Sequence, residues 1–325
     1  MFELTSIHVP VDFSRGSHAA MAFARHLTAE GGGRLIATHV IPPLLRYLRA
    51  TLFPYAALGE DELAIMAEVQ VNARAAVQRF LKLEDFALSV GDAEAEEGAH
   101  VLDVLAADET SNVAQHLLGR LSETSAELMV AGLHGEGESS PGIAGSVAMR
   151  LAAESTRPIV FVRPVDRGRA VRKVLVALDM DMEGARIYAV ALGMALRLGA
   201  DLTVLTVIPD PLARDVTGVL GNTVEVKADA LAKRGRKETA KLMARFRSTL
   251  EVPFSSKAAL DRTKIEDVVV VGDPEMTILA WATEHDVDLI VVGRHGEGRS
   301  RLPSNMGRVT RTLLGCSPCY LMVVP

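Results

Sequence analysis

Short aliphatic runs recur along the chain, each closed off by glycine or polar residues, and between them lie longer stretches with apolar residues at helical spacing. The first set of runs covers residues 7–11, 34–41, 101–106, 127–131 and 159–162. A second set covers residues 174–178, 201–208, 268–271, 289–292 and 320–324. Helical stretches separate them, at residues 17–30, 61–83 and 111–122 in the first half and at 184–198, 224–250 and 275–284 in the second. A further helix follows the fourth run of each half. Uninterrupted aliphatic runs suit strands buried on both faces, as in a parallel sheet. Strand–helix alternation throughout predicts α/β domains of five strands and four helices each.

The two halves repeat one another. Ile7-His8-Val9-Pro10-Val11-Asp12 matches Val174-Leu175-Val176-Ala177-Leu178-Asp179, an aliphatic strand ending in Asp. An Ala-rich helical stretch follows each, closing at Gly31-Gly32-Gly33 and at Gly199, as glycine commonly closes helices. The next strands correspond too, with His39-Val40-Ile41-Pro42 against Thr206-Val207-Ile208-Pro209. The linker at residues 163–169 is polar and carries both Pro and Gly. Two tandem domains are therefore expected, residues 1–165 and 170–325.

Composition narrows the classes. A chain of 325 residues that is 49% apolar and 23% charged has enough apolar surface to fold rather than stay disordered. A net charge of −6 without a long basic block argues against a general nucleic-acid binder. No segment is apolar for long enough to span a bilayer, and the first residues lack the charged and apolar regions of a signal peptide. The two cysteines, Cys316 and Cys319, make no disulfide framework, so a cytoplasmic, reducing location is expected.

Candidate chemistry sits after the fourth strand. Gly132, Gly135, Gly145 and Ser146 form a G-x2-G-x9-G-[ST] loop, and Gly293, Gly296 and Gly307 form a copy one residue longer with Arg308 where Ser146 stood. Glycine lets backbone amides approach phosphate oxygens, and a hydroxyl at the next helix start adds a donor where the helix dipole favours an anion. The alternative is a connection that needs glycine only to turn. Arg294, Arg299, Arg301 and Arg308 crowd the second loop, and arginine recognises phosphate bidentately.

Other features carry more than one reading each. Asp12 meets a ligand or caps the first helix, two roles that are compatible. His134 and His295 occupy matching loop positions, but no carboxylate or Cys lies at metal-ligand spacing, so no metal site is expected. Cys316-Ser317-Pro318-Cys319 has a redox-motif spacing but enters a strand, which favours a small buried residue at Cys319. The acidic segment with Asp92, Glu94, Glu96 and Glu97 is an extra hairpin or a solvated loop. Residues 44–55, with Tyr47, Phe53 and Tyr55, cap a pocket, meet a partner or pack on their own domain.

With these motifs in order, the chain resembles the universal stress protein family, in its tandem two-domain form. The resemblance rests on Pro10-x-Asp12-Phe13-Ser14, His39-Val40-Ile41, the Gly132/Gly135/Gly145-Ser146 loop and Arg157-Pro158-Ile159-Val160. It implies doubly wound domains whose five-stranded parallel sheets run 3-2-1-4-5, with ATP, and magnesium beside it, outside the strand C-termini. It also implies that Asp12 and Val40 meet adenine or ribose and that Pro10 shapes the first loop. Gly132 and Gly135 would then wrap the phosphates, and Gly145, Ser146 and Val147 would supply helix-start contacts. In the second half Asp179, Val207, Gly293 and Gly296 hold the matching places, while Ala177 and Met180-Asp181 replace Pro10 and Phe13-Ser14. The second site is thus expected to be empty or suited to another anion. The last strands of the two halves would pair as in a family dimer, with a further homodimer open.

The leading functional expectation is an ATP-binding stress-response sensor or adaptor acting on a protein partner, not an enzyme, with no catalytic residue assigned. Slow ATP hydrolysis is a second reading, with Glu136, Glu138 and His134 as candidates but no Walker-type lysine. A third is a scaffold holding a ligand other than a nucleotide.

Overall fold

The computed structural model describes residues 4–41, 60–83, 101–107, 112–135, 144–179, 184–209, 228–249, 257–296 and 306–325. The chain divides into two compact units, the first built from Leu4–Ser140 with Ala144–Gly168 and the second from Arg169–Pro325. The aromatic stretch at residues 44–55 and the acidic stretch at 86–98 lie outside the described residues.

The first unit runs β1 (Ser6–Pro10), α1 (Arg15–Gly31), β2 (Arg34–Ile41), α2 (Glu60–Leu83), β3 (Val101–Ala106), α3 (Val113–Glu123), β4 (Leu128–Gly132), α4 (Ser146–Glu154) and β5 (Ile159–Val162). Its strands are ordered β3-β2-β1-β4-β5, and each neighbouring pair is parallel. The second unit runs β6 (Lys173–Ala177), α5 (Gly184–Leu198), β7 (Asp201–Pro209), α6 (Ala228–Thr249), a single turn α7 (Lys257–Leu260), β8 (Ile265–Gly272), α8 (Pro274–Glu284), β9 (Leu289–Gly293), α9 (Arg308–Cys316) and β10 (Tyr320–Val324). Its order is β8-β7-β6-β9-β10, again parallel at each pair. The α/β class and the twofold repeat read from the sequence are both present. The turn α7 and the three extra residues at the start of β8 are not marked by the aliphatic pattern.

Local chemistry sets the element ends. Ser14 caps α1 by accepting a hydrogen bond from the Ser17 N–H at 3.2 Å, and Gly32, at φ 72°, closes it by donating to the Thr28 carbonyl at 2.8 Å. A reciprocal capping box between Asn112 and Gln115 starts α3. At the entry to β4, the Glu127 carboxylate accepts from the Ser6 N–H at 2.7 Å and from the Thr5 hydroxyl at 2.6 Å. Burial pushes this carboxyl up, but the bonds from Thr5 and Ser6 outweigh it and leave it below the usual carboxylate range. Asp288 does the same at β9, accepting from the Arg172 and Lys173 N–H groups at 2.9 and 3.1 Å. The residue two before each acid, Ser125 and Asp286, adopts φ 52° in both units. The duplication therefore extends to individual hydrogen bonds.

One layer of the core differs between the units. In the first, His8 on β1, Thr38 on β2 and Asp103 on β3 form a polar lane with Arg120 of α3. The His8 Nε2 lies 2.8 Å from the Thr38 Oγ1, and the Arg120 Nε donates to Asp103 Oδ2 at 2.7 Å. At the corresponding places the second unit has Leu175, Leu205, Val268 and Trp281. His8 is fully buried, and burial first, then the Arg120 charge, lowers its pKa from 6.5 to about 3.

This buried imidazole predicts acid lability. Between pH 6.5 and about 3 the unfolded chain binds a proton at His8 that the folded chain refuses. The unfolded state binds more protons there, so stability falls as the pH is lowered through that window. The full window corresponds to about 5 kcal/mol. Urea unfolding at a series of pH values, followed by circular dichroism, should show that slope. His8→Leu combined with Thr38→Val, which matches the apolar layer of the second unit, should flatten it.

Candidate functional site

In each unit the chain leaves the first strand toward one side of the sheet and returns on the other for the fourth. The C-terminal ends of β1 and β4, and of β6 and β9, are therefore the switch points where open α/β sheets bind ligands.

At the first switch point the ladder extends one residue past β1, with the Val11 N–H donating to the Thr38 carbonyl at 2.9 Å. The chain then turns sharply through Phe13, at φ 65°, a conformation rare for a bulky side chain. The Phe13 ring is held in place by its neighbours, with the His39 ring centroid at 4.7 Å and the Phe80 ring edge-on at 6.0 Å. The His39 Nδ1 in turn donates to the Val11 carbonyl at 2.7 Å, tying β2 to the turn. Inside this turn Asp12 is exposed, and its Oδ1 accepts from the Ser14 N–H at 3.0 Å. Ser14 is the helix cap, so Asp12 orders the turn ahead of the helix and does not cap α1 itself. That settles one of the two readings of Asp12.

The other oxygen of Asp12 covers Gly135: a Cβ on this glycine would lie 2.8 Å from the Asp12 Oδ2. Gly132 has a different reason to be glycine. A Cβ there would sit 2.9 Å from the Gly16 carbonyl carbon, and one on Gly16 would sit 2.6 Å from the His134 carbonyl oxygen. The first turn of α1 and the end of β4 thus meet backbone to backbone. Gly145 donates to the Leu133 carbonyl at 3.0 Å and begins α4 without any side-chain cap. Ser146 and Val147, in the uncapped first turn, are exposed, and that turn holds no acidic residue. Such an end is electropositive and presents N–H donors. Pro10 is half-buried beside Thr38, and Val40 is buried beside Leu105 on β3. Residues 136–143, including Glu136 and Glu138, lie outside the described residues.

The second switch point keeps part of this plan. The Asp179 carboxylate covers Gly296 as Asp12 covers Gly135, and Gly307 donates to the Arg294 carbonyl at 2.8 Å to begin α9, again without a side-chain cap. Val207 lies half-buried on β7. Gly293 faces the Ile187 side chain, with 2.6 Å left for a Cβ, where Gly132 faces the backbone of Gly16. The Arg308 side chain, in the place of Ser146, turns to α8: its Nε lies 2.7 Å from Glu275 Oε1 and its Nη2 3.4 Å from Asp273 Oδ2. The Met276 N–H and then the Arg308 charge hold the Asp273 carboxyl below its usual range against the effect of burial. Arg308 is therefore already engaged by carboxylates, which revises the picture of arginines crowding a phosphate position. Arg299 and Arg301 lie outside the described residues. Cys316 is exposed and Cys319 buried, both as free thiols, and no helix among the described residues is long and apolar enough to cross a membrane.

Sequence reasoning missed the roles of Gly16, Phe13 and the Asp273–Glu275–Arg308 cluster. Ser14-Arg15-Gly16-Ser17 is a legible cap signal, but the close approach at Gly16 depends on a partner 116 residues away, at Gly132.

Both units are open, doubly wound α/β domains with a glycine-lined crevice at the switch in strand order. Residues 3–163 and 170–325 each match the universal stress protein family model, and the chain belongs to that family. Three solved structures cover 99% of this chain: a candidate universal stress protein from Pseudomonas aeruginosa UCBPP-PA14 (13% identity, 93% of its own length, TM-score 0.61), a functionally unknown protein from Pseudomonas aeruginosa PAO1 (12%, 92%, 0.61) and a universal stress protein from Archaeoglobus fulgidus DSM 4304 (15%, 97%, 0.60). At such identities the likeness is one of fold. No curated protein matches the sequence.

The glycine contacts make a stability prediction. Gly132→Ala should cost about 1–3 kcal/mol through overpacking against α1. Gly119→Ala, in the middle of α3 with open space where the Cβ would stand, should instead stabilise by about 0.5–1 kcal/mol. Urea midpoints of the two variants, moving in opposite directions, would verify the packing role of Gly132.

Proposed function

We propose that the first unit binds ATP, with magnesium, at the switch point between β1 and β4, and that the chain works as a nucleotide-linked adaptor rather than an enzyme. The observations that carry this reading are an exposed carboxylate, Asp12, over Gly135, and, after the same strand, an N-terminus of α4 with no side-chain cap among the described residues. A carboxylate suits ribose hydroxyls, which donate to it. Backbone N–H groups at a helix start suit phosphate oxygens. Pro10 and Val40 would flank the base end, and Gly132, Gly135, Gly145, Ser146 and Val147 the phosphate end. Magnesium would neutralise phosphate charge. ATP bound to the folded state alone stabilises that state and shifts whatever equilibrium a protein partner senses.

The second unit fits a different part. Asp179, Val207, Gly293 and Gly296 keep the frame, but the hydroxyl of Ser146 has no counterpart, and the arginine in its place is held by Asp273 and Glu275. It would contribute a structural half with no ATP of its own.

Calorimetric titration of nucleotide-stripped protein with Mg-ATP should therefore give one site per chain, without phosphate release over the same period. Gly135→Val pushes the Asp12 carboxylate out of place and should weaken ATP at least tenfold, with the thermal melt of the ligand-free protein unchanged. Two sites would show the second unit to be competent. Undiminished affinity in the variant, or no binding by the wild type, would overturn the assignment.

A further inference from the structure

α6 carries Lys233, Arg234, Arg236, Lys237, Lys241, Arg245 and Arg247 against only Asp229 and Glu238. Gly235, Thr239, Met243 and Phe246 are buried, and this stripe turns one face of the helix onto β7 and β8. On the opposite side Lys233, Lys237, Lys241 and Arg245 recur at every fourth position, and all four are exposed, as are Arg234 and Arg236. At the rise of an α-helix, this row places a positive charge about every 6 Å over a length of about 18 Å.

Such a row works against the helix that holds it, because like charges at i,i+4 destabilise helices. Glu238 gives partial relief through its 2.8 Å bond to Lys241. The Lys241 hydrogen bond and charge, followed by the charges of Lys237 and Arg234, hold the Glu238 carboxyl below its usual range, a sign of the local positive field. The fold does not demand this composition. α2, the helix at the same place in the first unit, carries Glu60, Asp61, Glu62 and Glu68 beside Arg74, Arg79 and Lys82. The whole chain has a net charge of −6, so α6 gathers cations in an otherwise acidic molecule. Chain-wide charge, which argued against a nucleic-acid partner, hides this segregation.

We propose that the exposed face of α6 docks on duplex DNA through its phosphate backbone. Among its described side chains the helix has no exposed large hydrophobic residue. It therefore lacks the apolar anchor of a membrane-surface helix and the apolar centre of a protein interface, and contact by charge is what remains. A duplex offers one phosphate per about 3.4 Å of axis on each strand, along a stiff line. The row rises about 18 Å along the helix axis, inclined to it as i,i+4 ridges are, and so spans about five of them. Cations spaced along the phosphate line make backbone contacts, so the binding is governed chiefly by counterion release and little by sequence.

The test is fluorescence anisotropy of a fluorescein-labelled duplex with the full chain, from about 50 to about 200 mM salt. Four phosphate contacts predict a log–log slope of about −3.6. Replacing Lys233, Lys237, Lys241 and Arg245 together by Gln should weaken binding at least tenfold and remove most of that slope. The pairs Lys233→Gln/Lys237→Gln and Lys241→Gln/Arg245→Gln should each remove about half of it, which keeps the test intact if the fourfold variant fails to fold. Lys233→Arg/Lys237→Arg should retain binding. Absence of binding by the wild type at the lowest salt overturns the proposal, as does an unchanged slope in the folded pair variants. Competition by polyglutamate as effective as by unlabelled duplex also overturns it, in favour of an acidic protein partner.

Discussion

The first crevice rests on a contact between two backbones. Gly16, in the first turn of α1, and Gly132, at the end of β4, approach so closely that a methyl group on either meets main-chain atoms of the other segment. This contact brings the start of α1 to the loop that leaves β4. The turn immediately before α1 carries Asp12, so the same contact helps bring its exposed carboxylate over Gly135. Phe13, at φ 65°, makes the reversal between that carboxylate and the helix. Ring contacts from His39 and Phe80 hold the reversal in place.

The second unit solves the same problem with a side chain. Ile187 fills the space beside Gly293, α5 begins at Gly184, and the Asp179 carboxylate still reaches Gly296. The two units keep the carboxylate-over-glycine contact through different packing. They differ in their polar groups: the first sets the buried His8 and Thr38 beside the half-buried Asp103 and Arg120, while the second places its polar cluster at Asp273, Glu275 and Arg308, at the starts of α8 and α9. One duplicated frame has thus put its polar groups in different layers.

Much of this was legible in the sequence because strands buried on both faces announce themselves as aliphatic runs. The α/β class and the repeat followed from that pattern, whereas the gathering of Asp12, Gly135 and Gly145 at one end of the sheet was implied by the family resemblance. Gly132 was legible as a glycine but not in its role, because the atom that excludes its side chain belongs to Gly16, far away in sequence. The same limit hid Arg308. As a residue it reads as a phosphate ligand, and only the fold places Asp273 and Glu275 against it. Helix α6 shows the opposite failure, where an average over the whole chain concealed a local excess that the helical period makes plain.

Trp281 is the sole tryptophan of the chain, and it stacks on His285 with ring centroids 3.9 Å apart, at the place where the first unit carries Arg120. The indole belongs wholly to the second unit, and its emission answers to that unit's packing. The first unit, with the stronger candidate site, is dark at those wavelengths. A chain built from two copies of one fold thereby carries an optical marker on one copy only, so that events in its two halves can be told apart without attaching anything to either.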